Sequence, residues 1–523
     1  MSKGFDAYFR HSGYYLERLR VLGDLYQEGE TSITAALDGL EEDWAQIQSA
    51  RKWINQNLTK KEVAVFCSEY SAAAPSLIGM FWNARERIEW LEQSLQAARF
   101  ANLRNDEALH LGSLGVAYED LGDHDKSIVS LEKSIKIFHE LKQRGQEGLY
   151  IGQLGLAHIG LGNYDDAIKY LKTAVELAKK LKIESDLSIH FGNLGLVYSY
   201  IGEYNLSLKY HFKALKIDRN TGNKRGEAGD FGNIGVVYYY LGDYYEAEFY
   251  FKESIALSRE LKDSYYEALH LGNLASLFNE TDRYELALET NEAALQLSIK
   301  IGDLAGQALN LSNQGNIYHK LEHYDKAQKL YSRSLDIARI TNDRRSESKR
   351  LGLLGELFLD KGNLENAVAF LQKALNISNE INSKEYICEQ TRLLGIAYFK
   401  MNLMEESLQK LRQCLQLSRK ISSRIQEAGA LTEIGRIYSF KKDKKRALKN
   451  YQKALQLFLD SGATRDAAEI YVKIGDLTLE KRNSESESLS YFNNAYKIFN
   501  ALKLKDLADD VMERIKALRK NQR

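Results

Sequence analysis

Proline is almost absent: Pro75 is the only one among 523 residues. Helix breaks must therefore come from Gly, Asn and Asp, and nearly every segment is free to be helical. Pro-rich linkers between separate domains are excluded. Net charge is also absent, since 72 Lys and Arg balance 72 Asp and Glu. No long-range field draws in nucleic acid or an anionic membrane, so both are disfavoured as partners. Long apolar runs are missing too; stretches such as 62–66 and 76–82 fall far short of the ~20 residues that span a bilayer. The first residues, with Phe5, Tyr8, Phe9, Arg10 and His11 close together, lack the charged start, apolar core and cleavage site of a signal peptide. The expected location is cytoplasmic. Cysteine is scarce. Cys67, Cys388 and Cys414 are odd in number and lack metal-ligand spacing, so they are expected as buried reduced thiols, the last two in neighbouring repeats.

What the chain does have is a period of 40 residues, running in phase from LGSLGVAYED at 111 to YVKIGDLTLE at 471, with one extra residue in the last copy near 483–488. Each of the ten units reads as two helices. The first carries a small residue at 115, 155, 195, 235, 315, 355, 395, 435 and 475, all Gly, with Ala275 once. Three residues later stands an aromatic such as Tyr118, Tyr198, Tyr238 or Phe358, expected to wedge between helices. Turns such as Leu-Gly-Asp at 121 and 241 follow, with glycine suited to end one helix and the acid to cap the next. The second helix supplies Ser127, Ala167, Ser207, Ala247, Ala287 or Ala327, then Ala174, Ala214, Ala294, Ala374 or Ala454.

These residues match the L-G-x2-Y, A-x3-F, A pattern of the tetratricopeptide repeat (TPR), and the chain resembles that family. The 40-residue form is similar to Pins/LGN-type adaptors and kinesin light chains. The resemblance implies an all-α fold, a TPR solenoid that is a right-handed superhelix of antiparallel helix pairs with an N-terminal helical cap. It also implies a non-catalytic scaffold. The expected organisation is a cap region over 1–70, a degenerate first repeat over 71–110, ten hairpins over 111–500, and a capping helix with a basic tail over 501–523.

In the cap, 5–29 and 32–56 read as amphipathic helices, the second with Leu37, Leu40, Trp44, Ile47, Ala50 and Trp53 at helical spacing. All four tryptophans, Trp44, Trp53, Trp82 and Trp90, precede residue 101 and are expected to fill an irregular core. This flank is similar to segments that precede TPR arrays in bacterial STAND-type signalling proteins, although no phosphate-binding G-x4-G-K-[ST] loop occurs. That resemblance implies an alternative role as a regulatory sensor subunit acting on a signalling or defence effector in trans.

No catalytic motif, metal-ligand set or cofactor loop appears, so the expectation is no enzyme and no cofactor. His110, His190 and His270 share one repeat position and are expected as structural residues. The informative pattern is an asparagine ladder: Asn193, Asn233, Asn273 and Asn313. Asn is a poor helix-interior residue, so four in phase need a reason. On the first helix this position is expected to face the concave surface, where an amide offers both a donor and an acceptor to a peptide backbone. Leu196, Val236, Ser276 and Asn316 lie three residues on, and Tyr200, Tyr240, Glu280 and Lys320 seven on. The expected partner is a protein or peptide with an apolar or aromatic half followed by a mixed-charge half. Towards the C-terminus the ladder becomes Leu353, Leu393, Glu433 and Lys473. The basic run Lys441, Lys442, Lys444, Lys445 and Arg446 reads as a solvated loop, with docking of an acidic partner or nucleic acid as its sharper reading.

Overall fold

A computed structural model describes residues 3–27, 30–73, 84–479, 484–502 and 504–521. Pro75, Trp82 and the extra residue near 483 lie outside the described residues, as does the Leu37 side chain. Among the described residues the chain forms 25 helices and no strand, an all-α TPR solenoid. Ten antiparallel hairpins run from Arg104–Leu121 with His124–Glu140 to Thr464–Leu479 with Glu485–Ala501. Their first helices begin seven residues before the frame that opens at Leu111. Lys3–Gln27 and Glu30–Gln56 precede the array and Lys505–Asn521 closes it.

The turns follow from local chemistry. At the end of a first helix one residue takes the left-handed conformation, Gly202 at φ 81° in one hairpin and Lys442 at φ 59° in another. Only glycine adopts this without steric cost. The next polar residue caps the second helix: the side chains of Asp123, Asp243, Asn363 and Asp443 accept from the backbone N–H three residues on.

Inside each hairpin the small residue is required by contact. A Cβ at Gly195 would stand 2.5 Å from His211 Nε2, at Gly235 2.7 Å from Phe251 Cδ1, and at Gly355 2.6 Å from Leu371 Cγ. The aromatic three residues on stacks against the second helix of the same hairpin, Tyr198 on Tyr210 at 5.4 Å and Phe358 on Phe370 at 5.3 Å. Hairpin joins hairpin through a buried polar position on the first helix. The Tyr150 ring packs over Gly112, His190 over Gly152, His270 over Gly232 and Gln390 over Gly352. The imidazoles of His110 and His270 are buried, and burial pushes each down to about 4, so they are neutral packing residues.

The chain divides into two compact units, Met1–Gly160 with Asp166–His190, and Leu161–Asp165 with Phe191–Arg523. In the first, Leu19, Leu40, Ile47, Ile54, Tyr70 and Trp90 form the cap core, and Phe5, Tyr8 and Phe9 gather around Trp53. Lys61–Ala73 and Ala84–Ala101 pack as a hairpin of the same kind: Ser94 Oγ donates to the Cys67 carbonyl at 3.1 Å, as Ser134 does to Ala108 at 2.7 Å. In the second, first helices touch the first helices of following hairpins, which places them on the inside of the curve. The closing helix buries Ala508, Val511, Ile515 and Leu518 on one face and leaves Leu507 exposed.

All three cysteines are buried free thiols. Cys388 and Cys414 belong to one hairpin rather than neighbouring repeats, with Sγ atoms 2.9 Å apart. The correction follows from the helix starts, since a frame that opens mid-helix cuts each hairpin in two.

Candidate partner-binding face of the second unit

The inner helix Lys224–Leu241 shows how the sequence exposes a stripe. Arg225, Gly229, Asn233, Val236 and Tyr240 recur every three or four residues and are exposed or half-buried, while Ala228, Phe231, Ile234 and Val237 between them are buried. Asn233 sits mid-stripe. Its counterparts Asn193, Asn273 and Asn313 are half-buried at the same register.

The four amides are not equivalent. Asn313 Nδ2 donates to the Gly272 carbonyl of the preceding hairpin at 3.4 Å, and Asn273 Nδ2 lies 3.5 Å from His270 Nδ1. Among the described residues the Asn193 and Asn233 side chains make no hydrogen bond within the chain. The neighbours differ as well. Leu196 and Tyr240 are exposed, Val236 and Tyr200 half-buried, and Lys320 exposed. Asn316 Oδ1 accepts from Tyr331 Oη at 2.7 Å, and Glu280 is in an ion pair with Arg465, so these two side chains already have partners.

The later hairpins contribute a wall that the ladder does not mark. Arg345 Nη2 lies 3.7 Å from Glu385 Oε2, and its guanidinium stands over the Tyr386 ring at 5.3 Å. Glu356 is exposed to water, yet its carboxyl is pushed up, first by the protein around it and then by Glu389 and Asp360, against Arg392 and His319. Tyr240 is 52% exposed, and its phenol too is pushed up, by burial first and then by Glu385 and Glu389. Water contact combined with strong desolvation is the mark of a concave surface: solvent reaches the group while protein surrounds it. Glu385 and Tyr386 act on the phenols of both Tyr200 and Tyr240, and Glu389 on that of Tyr240. The sequence signal was the shared repeat position of Arg345, Glu385 and Arg465 on the first turn of their helices.

In the former ladder positions Leu393 is buried, and Leu353, Glu433 and Lys473 are half-buried. The basic run is partly neutralised by its surroundings: Lys441 Nζ pairs with Glu405 at 2.9 Å and Arg446 with Asp443 at 3.3 Å. Among the described residues no group of three His, Cys, Asp or Glu could hold a metal, and no helix is long and apolar enough to cross a membrane.

The tetratricopeptide-repeat family model matches residues 147–220, 230–300, 302–380 and 388–460, and a second model of the same repeat matches 111–138. No curated protein matches the chain. Among solved structures, a Rap protein complexed with Competence and Sporulation Factor is 12% identical at a TM-score of 0.49, covering 68% of this chain and 99% of that one. The apo quorum sensor NprR from B. thuringiensis is 19% identical at 0.43, covering 64% and 98%. Yeast Tom70 is 14% identical at 0.41, covering 83% and 93%. With family matches over more than half of its length, this chain belongs to the tetratricopeptide-repeat family.

Proposed function

We propose that the protein is a non-catalytic interaction scaffold that holds a peptide or protein partner on the inner helices of the second unit. The observation that carries this reading is the pair Asn193 and Asn233, two amides in phase on successive inner helices with their hydrogen-bonding capacity unspent by the chain itself. An extended backbone offers alternating N–H and C=O groups, which a ladder of amides can hold in register. Leu196, Val236, Tyr200 and Tyr240 supply apolar and aromatic contact beside them, and Lys320 and the Nδ2 of Asn316, whose Oδ1 is taken by Tyr331, polar contact further on. Affinity is spread over several shallow contacts, as suits a repeat array. TPR arrays are typically non-catalytic, and no residue is given a catalytic role.

The alternative is a sensor subunit that controls an effector in trans. The Arg465–Glu280 pair favours it, because it ties a groove residue of the fifth hairpin to the tenth. The test of the leading reading is replacement of all four ladder asparagines by alanine, with partner capture compared at equal helicity. Loss of capture supports the groove, and unchanged capture sinks it.

A further inference from the structure

The eighth hairpin, Lys384–Lys400 with Met404–Lys420, differs from the others at the point where its two helices meet most closely. In several hairpins that point is marked by a hydrogen bond between residues 26 apart. Ser134 Oγ donates to the Ala108 carbonyl at 2.7 Å, Ser254 Oγ to that of Ala228 at 2.7 Å, and Ser334 Oγ to that of Ala308 at 2.5 Å. In the seventh hairpin the direction reverses, and Ser348 Oγ donates to the Ala374 carbonyl at 2.9 Å. A side chain at one position thus touches the backbone at the other, which leaves room for little more than a methyl or hydroxyl group. Accordingly the first-helix position holds Ala, Ser or Gly in the other nine hairpins, and the second-helix position Ala or Ser.

The eighth hairpin places cysteine at both positions, Cys388 and Cys414. Their Sγ atoms are 2.9 Å apart, inside the roughly 3.5–4.0 Å at which non-bonded carbon atoms settle. Cys388 Sγ also lies 3.4 Å from the Cys414 carbonyl, the same side-chain-to-backbone contact that serine makes elsewhere. Both residues are fully buried, with Ala430, Leu415 and Leu417 around them. Cys67 occupies the first-helix position of the hairpin before the array, but Ser94 stands opposite, so no second thiol meets it there.

We propose that Cys388 and Cys414 are a redox modification site, a dithiol that a small peroxide closes to a disulfide, pinning the inner helix of the eighth hairpin to its outer one. The hydrogen bond from Cys388, with Arg392 acting against burial, holds the Cys414 thiol below its ordinary value, while the contact with Cys414 and then burial push Cys388 up. Cys414 is therefore the sulfur that reacts first. Its thiolate takes one oxygen of hydrogen peroxide, the O–O bond breaks, and hydroxide leaves a sulfenic acid behind. Cys388 Sγ then attacks that sulfur, the S–O bond breaks, and a second hydroxide departs. The two thiol protons convert both hydroxides to water, so two thiols and one peroxide give one disulfide and two waters. Burial slows the first step, which waits on local opening of the hairpin. It does not slow the second, because the resolving sulfur is already in contact. The bond, about 2.05 Å long, needs the sulfurs to approach by less than ~1 Å. Since Glu385, Tyr386 and Glu389 of the inner wall ride on the pinned helix, oxidation sets the stiffness of that wall.

The test treats the folded full chain with hydrogen peroxide. Free thiols are then counted with N-ethylmaleimide after unfolding, and linked peptides are identified by mass spectrometry without reduction. The count is expected to fall from the three of the untreated chain to one, with Cys388 linked to Cys414 and the link reopened by dithiothreitol. C388A and C414A put at each position the alanine that other hairpins carry there, so both variants should fold and keep their two remaining thiols under the same treatment. Amide hydrogen exchange across 384–420 is expected to slow about tenfold or more on oxidation of the wild-type chain and to stay unchanged in C388A. Three thiols retained by the treated chain, a sulfinic acid at Cys414 with no linked peptide, or links that involve Cys67 would overturn the site. A Cys388–Cys414 link with unaltered exchange would overturn the pinning.

Discussion

Arg424 and Glu203 lie 2.7 Å apart, one on the first turn of the ninth hairpin and the other in the turn of the third. The pair is half-exposed, so its direct worth to stability is small. R424A is expected to lower stability by no more than ~1 kcal/mol by denaturation followed with circular dichroism. A large stability loss would mean that this exposed pair, rather than the apolar contacts around Leu241 and Ile425, holds the two hairpins together.

Gly192 and Gly232 occupy the same repeat position and predict opposite outcomes. A Cβ at Gly232 would overlap the His270 ring, whereas at Gly192, where the next hairpin supplies the shorter Asp230, nothing lies within 4 Å. G232A should therefore destabilise by ~2 kcal/mol or more through overpacking. G192A should stabilise by up to ~1 kcal/mol, because alanine is the better helix residue. Equal effects of the two substitutions in thermal melts would contradict this account of how hairpins stack.

Acid should loosen the fold through its histidines. Burial holds His110, His211 and His270 at about 4, below the ordinary 6.5. Between those pH values the unfolded chain binds protons that the folded one refuses. Stability is therefore full above about 6.5 and is lost as pH falls towards about 4, by up to ~3 kcal/mol per histidine. H270N copies Asn310 of the next hairpin, whose Nδ2 donates to Ser298 Oγ at 3.2 Å. It should give a shallower acid slope in melting temperature against pH.

Asp230 runs the other way. Its carboxyl is pushed up to about 8, by burial first and then by Asp218, and its Oδ2 has no partner. From about 4 to about 8 the folded state keeps a proton that the unfolded state releases, so this group's contribution worsens as pH rises and levels off above about 8. D230N removes that cost. It should stabilise the protein at pH 7, on the order of a few kcal/mol, and change little near pH 4. Destabilisation at pH 7 would show that the carboxylate is instead held by a favourable partner.

Much of the fold was legible because a 40-residue period repeats local chemistry ten times. Gly195 against His211 and Gly355 against Leu371 are contacts within one hairpin, and short-range packing leaves its trace in every copy. The contact between early and late hairpins was not legible. Which residue of hairpin three meets which of hairpin nine depends on the superhelical pitch, a sum of small rotations that no single residue encodes. A faint signal existed in Gly162, Gly202 and Gly242, since later turns take Asp282, Glu322, Asn402 and Lys442 at the same position with φ between 58° and 63°. The ladder was visible as a pattern, but its inequality was not: whether an asparagine bonds its neighbour, as Asn313 does with Gly272, depends on side-chain geometry. The wall of Arg345, Glu385 and Glu389 was missed because charged residues at helix starts also read as ordinary solvated surface.

The most direct measurement of the central claim is quantitative partner capture by the full chain and by N193A/N233A/N273A/N313A, with helicity matched by circular dichroism and bound proteins identified by mass spectrometry. The account predicts that partners held by the wild-type chain fall away from the variant, with N193A/N233A alone causing most of the loss and N273A/N313A little. Identical partners retained in identical amounts by the folded fourfold variant would contradict it.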